Sequence, residues 1–483
     1  MIPTWNDLLP LLPELFLLGM TSLILIIGLY TGERRPSVVH YLAILTLIGA
    51  AALTLMDFNI VGRTNALGGM FIRDGIADIL KLFVYLTSAI VFIYARFYLR
   101  THQLFVAEYY TLSLFAILGI CLLISGGNLL SIYLGLELMA LSTYALVALD
   151  RDSPVSGESA MKYFVLGALA SGLLLYGMSM LYGITGSLDL NEISTRLASL
   201  AAEPNSPRVL LAFSVTFIVI GLAFKFGAVP FHMWIPDVYH GAPTAVTLFL
   251  SAAPKLAAVG MAFRLLGEGL SPLVNDWSQM LGFLALMSLL VGNFAAIAQS
   301  NLKRMLAYST ISHVGFILLG ILAGTDEGMS AAMFYAITYS LMSTGAFGMI
   351  IALSNAGFEC DRIDDFKGLN ARDPWMAFMM LLIIGSLAGF PPLVGFFAKL
   401  YVLQAAINAG WLWLAIVAVV MAVVGAYYYL RVIKVMYFDQ TEHEHPIQAP
   451  MDLRVVLAAN GLLQIGLTFF VGSLTALCVA AWQ

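Results

Sequence analysis

Glu137, Lys225, Lys255 and Lys399 each lie deep inside a long apolar run, where a charge has no water to face. At a rise of about 1.5 Å per residue, their depth in those runs places them near the middle of a bilayer. One charged side chain there costs about 2.5–3.5 kcal/mol, so four cost on the order of 10–14 kcal/mol. That approaches the whole net stability of an ordinary domain, roughly 5–15 kcal/mol. Residues kept at such a cost are expected to work, and their usual work is moving protons or ions. Lys225 comes five residues before Pro230, and Glu137 is its natural counter-charge. A carboxylate brought towards a buried lysine holds its proton; withdrawn, it lets the proton go. Driving a proton against about 150–200 mV takes roughly 3.5–4.6 kcal/mol, or about three pH units of proton affinity. The plainer alternative is a static ion pair joining two helices.

Lys255 directly follows Pro254, and Thr244, Thr247 and Ser251 precede it at helical spacing on roughly one face. Those hydroxyls could hold water for a relay, but bonding to their own backbone explains them as well. Lys399 follows the Pro391-Pro392 pair and lies too deep to reach an interface by snorkelling. His313 is a relay candidate because imidazole titrates near neutral pH. His232, two residues after Pro230, serves equally as a relay group or as a satisfied polar residue. Lys303 and Arg304 begin a helix, where a surplus of cations on the cytoplasmic side explains them. Lys162 has Glu158 at i−4, a surface pairing that needs no function. Either Lys162 or Lys303 could instead mark the mouth of a path. Asp78 and Lys81 are expected to neutralise one another at i,i+3. The His443-Glu444-His445 stretch reads as a solvated loop, not a metal site.

The elements that hold these residues are membrane helices. Of 483 residues, 61% are hydrophobic and 11% charged, and the mean hydropathy is +0.91. A soluble core of that length needs far more surface charge, which leaves an all-α polytopic membrane protein. The start of the chain, to Glu14, is acidic and lacks a basic leader region, so the first helix is expected to be retained. Cys121, Cys360 and Cys478 are far apart and form no metal or disulfide pattern. No nucleotide-binding loop occurs in the context it requires, and nucleic acid is not an expected partner. The lysines also disfavour Na⁺ as the transported ion, since no carboxylate and carbonyl cage accompanies them.

Hydrophobic runs bounded by charge, Gly or Pro predict about fourteen spans, the last at 454–481. Two should be broken: 208–235 by Gly227 and Pro230, and 374–408 by Gly389, Pro391, Pro392 and Gly395. Freed backbone groups at that depth survive only inside protein or against a wet cavity. With fourteen spans, the side shared by both termini carries Arg63, Arg73, Arg196, Arg208 and Arg264. The opposite side carries thirteen Lys and Arg, among them Arg34, Arg35, Lys303, Arg304 and Arg431. That asymmetry predicts a multi-pass membrane protein with both termini outside and the cation-rich side in the cytoplasm. One broken helix in each half points to inverted repeats with a site at each interface.

The segment Lys225-Phe-Gly-Ala-Val-Pro230-Phe-His232, continuing through Trp234 and Asp237 to Thr244, resembles the signature of the antiporter-like subunits of respiratory complex I, the proton-pumping NADH–quinone oxidoreductase. Leu302 to His313 is similar to a second block of that family. Ser251-Ala-Ala-Pro-Lys255, the loop Asp364 to Leu369, and Lys399 in Gly-Phe-Phe-Ala-Lys favour its bacterial N branch over the sister L and M branches. The resemblance covers nearly the whole chain. It implies fourteen helices with two inverted five-helix repeats: residues 1–108 as three leading helices, 109–266 and 277–437 as the repeats, and 454–483 as the last helix. It implies that Glu137, Lys225, Lys255 and Lys399 lie on a hydrated mid-membrane axis, with Lys303, Lys162 and His313 as companions. It further implies that this chain binds no cofactor, with NADH, flavin, iron–sulfur clusters and quinone held largely by other subunits. Its partners would be the other membrane-arm subunits, sister antiporter-like subunits included, and the lipid bilayer. The competing readings are a subunit of a cation/proton antiporter or of a membrane-bound hydrogenase, and a structural spacer.

Overall fold

A computed structural model describes residues 5–31, 36–201, 207–440 and 447–482. Met1, Arg34, Arg35 and the His443–His445 stretch lie outside the described residues. After short helical turns at Trp5–Leu8 and Leu9–Leu11 come six long helices: α1 (Leu12–Thr31), α2 (Pro36–Met56), α3 (Gly75–Thr101), α4 (Ala107–Ile124), α5 (Leu129–Val147) and α6 (Pro154–Thr185). A short helix, α7 (Leu190–Ala201), leads to α8 (Arg208–Phe226), α9 (Trp234–Gly241) and α10 (Thr244–Ala262). Then come α11 (Val274–Ile297), α12 (Leu302–Ile321), α13 (Asp326–Leu353), α14 (Pro374–Ala388), α15 (Val394–Asn408), α16 (Leu412–Phe438), α17 (Met451–Phe469) and α18 (Val471–Ala480). Among the described residues thirteen helical segments are long and apolar enough to cross a membrane. The α14–α15 pair, each half too short alone, makes the fourteenth.

Both expected breaks are present and are built alike. Gly227 takes φ +76° and Gly389 φ +87°, a backbone that side chains with a Cβ rarely adopt. At the first, the amides of Gly227 and Ala228 both return to the Ala223 carbonyl at 2.8 Å. At the second, those of Gly389 and Phe390 return to Gly385 at 3.0 Å. This cap satisfies part of each helix end, and the prolines beyond it stop the helix from resuming. Neighbouring helices satisfy what is left over. Ser288 of α11 accepts from the Val229 amide at 2.9 Å, and Ser386 accepts from the Gly395 amide at 3.1 Å.

The centre of the bundle is α13, buried from Gly328 to Leu353, with α10 and α12 against it. The outer faces of α1, α2, α6 and α16 expose rows of large apolar residues, as lipid contact requires. Between α2 and α3 a small antiparallel hairpin (β1, Thr64–Ala66; β2, Phe71–Arg73) delivers Arg73 to Asp57 at 3.1 Å and Asp78 at 3.2 Å. Asp78 and Lys81 lie one turn apart as expected, but each has a closer partner from another element. Lys81 is bonded to Glu14 of α1 at 2.6 Å, both buried. Spacing on one helix could not reveal partners brought by the hairpin and by α1.

Candidate functional site

Lys225 occupies the last turn of α8, one residue before its end at the first break. It is buried, and its Nζ has no hydrogen-bond partner among the described residues. Two aromatic faces attend it instead, Tyr144 at 5.9 Å and Phe224 at 5.8 Å, and ring faces attract a cation. Tyr144 stands two turns after Glu137 on α5. Glu137 is half-buried, with its Oε1 enclosed and unbonded, and no ion pair within 4.0 Å joins it to Lys225 among the described residues. The static-pair alternative is therefore not the arrangement found.

Lys255 reaches the same break from α10. Its ammonium donates to the Phe226 carbonyl at 2.7 Å and lies 5.6 Å from the Trp234 ring centre. Trp234 is held in turn by its indole N–H on the Phe224 carbonyl at 3.0 Å. One helix end thus collects Lys225 and Lys255. His232 lies in the break itself, its Nδ1 buried and unbonded among the described residues.

The second break repeats part of this. Lys399, on the first turns of α15, donates to the Ala388 carbonyl at 2.7 Å and to Leu387 at 3.2 Å. Phe316 of α12 lies 5.3 Å below it, and one turn earlier on that helix is His313. His313 sits between two phenols, with Nδ1 2.7 Å from Tyr335 and Nε2 3.0 Å from Tyr429. Tyr429 also bonds Ser309, and Tyr339 donates to Thr310 at 2.8 Å. These tyrosines were not singled out from sequence; the only hint is the Tyr427-Tyr428-Tyr429 run. No direct hydrogen bond joins this cluster to Lys225 or Lys255 among the described residues.

At one end of the bundle the remaining candidates meet. Lys162 bonds Glu158 at 2.8 Å as spacing requires, and also Asp237 of α9 at 3.0 Å. Arg304 of α12 meets the same Asp237 at 3.3 Å. Lys303 is not a surface cation: it is buried, donating to the Ala242 carbonyl at 3.1 Å and to Glu359 at 3.2 Å. Glu359, in the loop after α13, also accepts from Thr244. Burial pushes its carboxyl up, but Lys303 and the Thr244 hydroxyl outweigh this and hold it below its ordinary value.

Residues 126–425 match the family model described as NADH:quinone oxidoreductase/Mrp antiporter, transmembrane. The NADH-quinone oxidoreductase subunit N of Thiobacillus denitrificans is 56% identical over 98% of this chain and 97% of its own. That of Thioalkalivibrio sulfidiphilus is 55% identical over 98% of each. A chain of respiratory complex I from Thermus thermophilus superposes with a TM-score of 0.82 at 30% identity, covering 96% of this chain and 99% of its own. The buried lysines at two broken helices stand in a sequence that matches these proteins end to end, and the chain belongs to the subunit N family of NADH-quinone oxidoreductases.

Proposed function

We propose that this chain moves protons across a bacterial inner membrane as a non-redox subunit of NADH–quinone oxidoreductase. In this reading NADH, flavin, iron–sulfur clusters and quinone are held by other subunits, and other membrane-arm subunits, sister antiporter-like ones included, are its neighbours. The observation that carries it is the pair of lysines, Lys255 and Lys399, each donating to the terminal carbonyls of a helix broken inside the membrane. A broken helix there presents the negative end of its dipole to a cation. Lys225 stands beside the first end, buried and with no hydrogen-bond partner among the described residues, and is the group whose proton Glu137 would control. Approach of the Glu137 carboxylate holds that proton; its withdrawal releases it towards Lys255. His313, between its two phenols, passes protons on towards Lys399. Lys162, Lys303 and His232 serve at the mouth and the break. The thirteen cations at one side against five at the other orient both termini to the periplasm.

The antiporter reading draws on the fold. A chain of the Mrp complex from Dietzia sp. superposes with a TM-score of 0.82 at 21% identity, covering 99% of this chain. Isolation of the tagged chain from native membranes separates the two. Co-purification with a flavin- and iron–sulfur-containing arm that oxidises NADH is expected. Recovery in a complex without such an arm would favour the antiporter.

A further inference from the structure

Glu359 belongs to no transmembrane helix, yet it touches three of them. Its Oε1 accepts from Thr244 of α10, lies 3.2 Å from Lys303 of α12, and is 3.4 Å from the hydroxyl of Tyr98 on α3. About a third of its side chain, 33%, remains exposed, so water reaches it. Thr244 is the first residue of α10 and the start of a polar line on that helix. Thr247, Ser251 and Lys255 follow at i+3, i+7 and i+11, which at about 100° per residue keeps all four within roughly 80° of arc. All four are buried, so the line is closed to lipid. Eleven residues of helix span about 16 Å, roughly half the hydrocarbon thickness. The line therefore joins the aqueous end of the bundle to the lysine at its middle.

We propose that Glu359 is the carboxylate that collects protons from the aqueous phase and delivers them along the Thr244–Thr247–Ser251 face of α10 to Lys255. This inference rests on the proton-translocation reading above. The chemistry is a relay of one proton. A hydronium ion of the aqueous phase protonates Glu359 and leaves as water; Glu359 then gives that proton to the Thr244 oxygen as the Thr244 hydroxyl gives its own proton to the next oxygen inward. Thr247 donates to the Tyr239 carbonyl at 3.0 Å and Ser251 to that of Leu248 at 2.9 Å. Each hydroxyl oxygen keeps lone pairs to accept with. Neighbours on one helix face are about 5–6 Å apart at Cβ; the three hydroxyl residues are fully packed, so each hand-over requires the face to open far enough to admit a bridging water. The proton ends on the neutral amine of Lys255 once that residue has passed its previous proton on. Lys303 keeps the collector ionised between turnovers.

The test uses the whole complex in inverted membrane vesicles, with assembly followed on native gels. Glu359→Gln is expected to slow NADH-driven proton pumping at least about tenfold. It should also raise the solvent deuterium isotope effect on turnover, which a purely structural tie would not do, while Glu359→Asp restores most of the rate. Thr244→Val keeps the Glu359–Lys303 pair but removes the hand-over, and should act in the same direction. Should Glu359→Gln fail to assemble, Thr244→Val decides. Normal pumping and isotope effect in the assembled variant, alongside impaired Lys255→Ala, would overturn the collector and leave the translocation reading standing. Normal pumping in Lys255→Ala as well would remove both.

Discussion

The ammonium of Lys255 ends on the carbonyl of Phe226, 2.7 Å away, at the terminus of a helix to which Lys255 does not belong. The last carbonyls of any helix lack an intrahelical donor, and inside a bilayer no water replaces it. A lysine from the next helix supplies the donor and a positive charge at the negative end of the dipole. Lys399 does the same for Ala388 and Leu387, but from the continuation of the broken helix itself. The two helix ends thus receive lysines from different places.

Replacing Lys255 with Met separates function from stability. The Phe226 carbonyl loses its donor, worth about 1–3 kcal/mol, while the roughly 2.5–3.5 kcal/mol cost of a charge at that depth disappears. The melting temperature of the assembled complex, read by scanning fluorimetry, is therefore expected to hold or rise while pumping falls. A drop of many degrees would mean that Lys255 is mainly a structural tie.

Gly389→Ala should displace Lys399. A Cβ there would lie 2.9 Å from the lysine Cδ, and φ of +87° would strain the new residue by about 1–2 kcal/mol. Gly410 has nearly the same φ, +88°, with nothing within 4 Å of its Cβ position. Gly410→Ala thus carries the backbone strain alone. Pumping lost in the first and kept in the second is expected; equal loss in both would show that strain, not Lys399, is responsible.

Glu14 and Lys81 form a buried pair that belongs to neither break, 3% and 1% exposed. Removing one partner strands a charge and costs about 3–5 kcal/mol, whereas removing both is often neutral. Lys81→Met should lower the amount of assembled complex on a native gel, and Lys81→Met with Glu14→Leu should restore it with normal pumping. A double variant that assembles but does not pump would give this pair a role in transport.

Acid should release the loop that carries Glu359. Its carboxyl lies below its ordinary value near 4.5, with Lys303 the chief opponent of burial and His102 adding to the same side. A depressed carboxylate stabilises the folded state above its unfolded value, and that contribution is lost as pH falls through the lower folded value. Hydrogen exchange in the loop 354–363 should therefore stay slow through neutral pH and down past about 4.5, rising only below it. In Lys303→Met the rise should come at higher pH. Identical profiles would show that Lys303 does not hold the loop.

The membrane class, the fourteen spans and both breaks were legible because apolar length, Gly and Pro act locally. Lys225, Lys255 and Lys399 stood out for the same reason: a charge in an apolar run needs no partner to be noticed. What remained hidden was partnership. The closest partner of Lys81, Glu14, was missed because it lies on another helix. Lys303 was explained either by the cytoplasmic surplus of cations or as the mouth of a path; its burial stayed hidden because it depends on Ala242 and the loop of Glu359. The phenols around His313 are scattered over α13 and α16, and no spacing on one helix could have gathered them.

The central claim is that Lys225 carries a proton the complex must move. The most direct measurement is NADH-driven proton pumping by inverted vesicles holding Lys225→Ala, with assembly confirmed on a native gel and quinone-linked NADH oxidation recorded alongside. Loss of pumping with NADH oxidation falling in step is the expected result. Normal pumping by a fully assembled complex would contradict the account and leave Lys225 a structural residue.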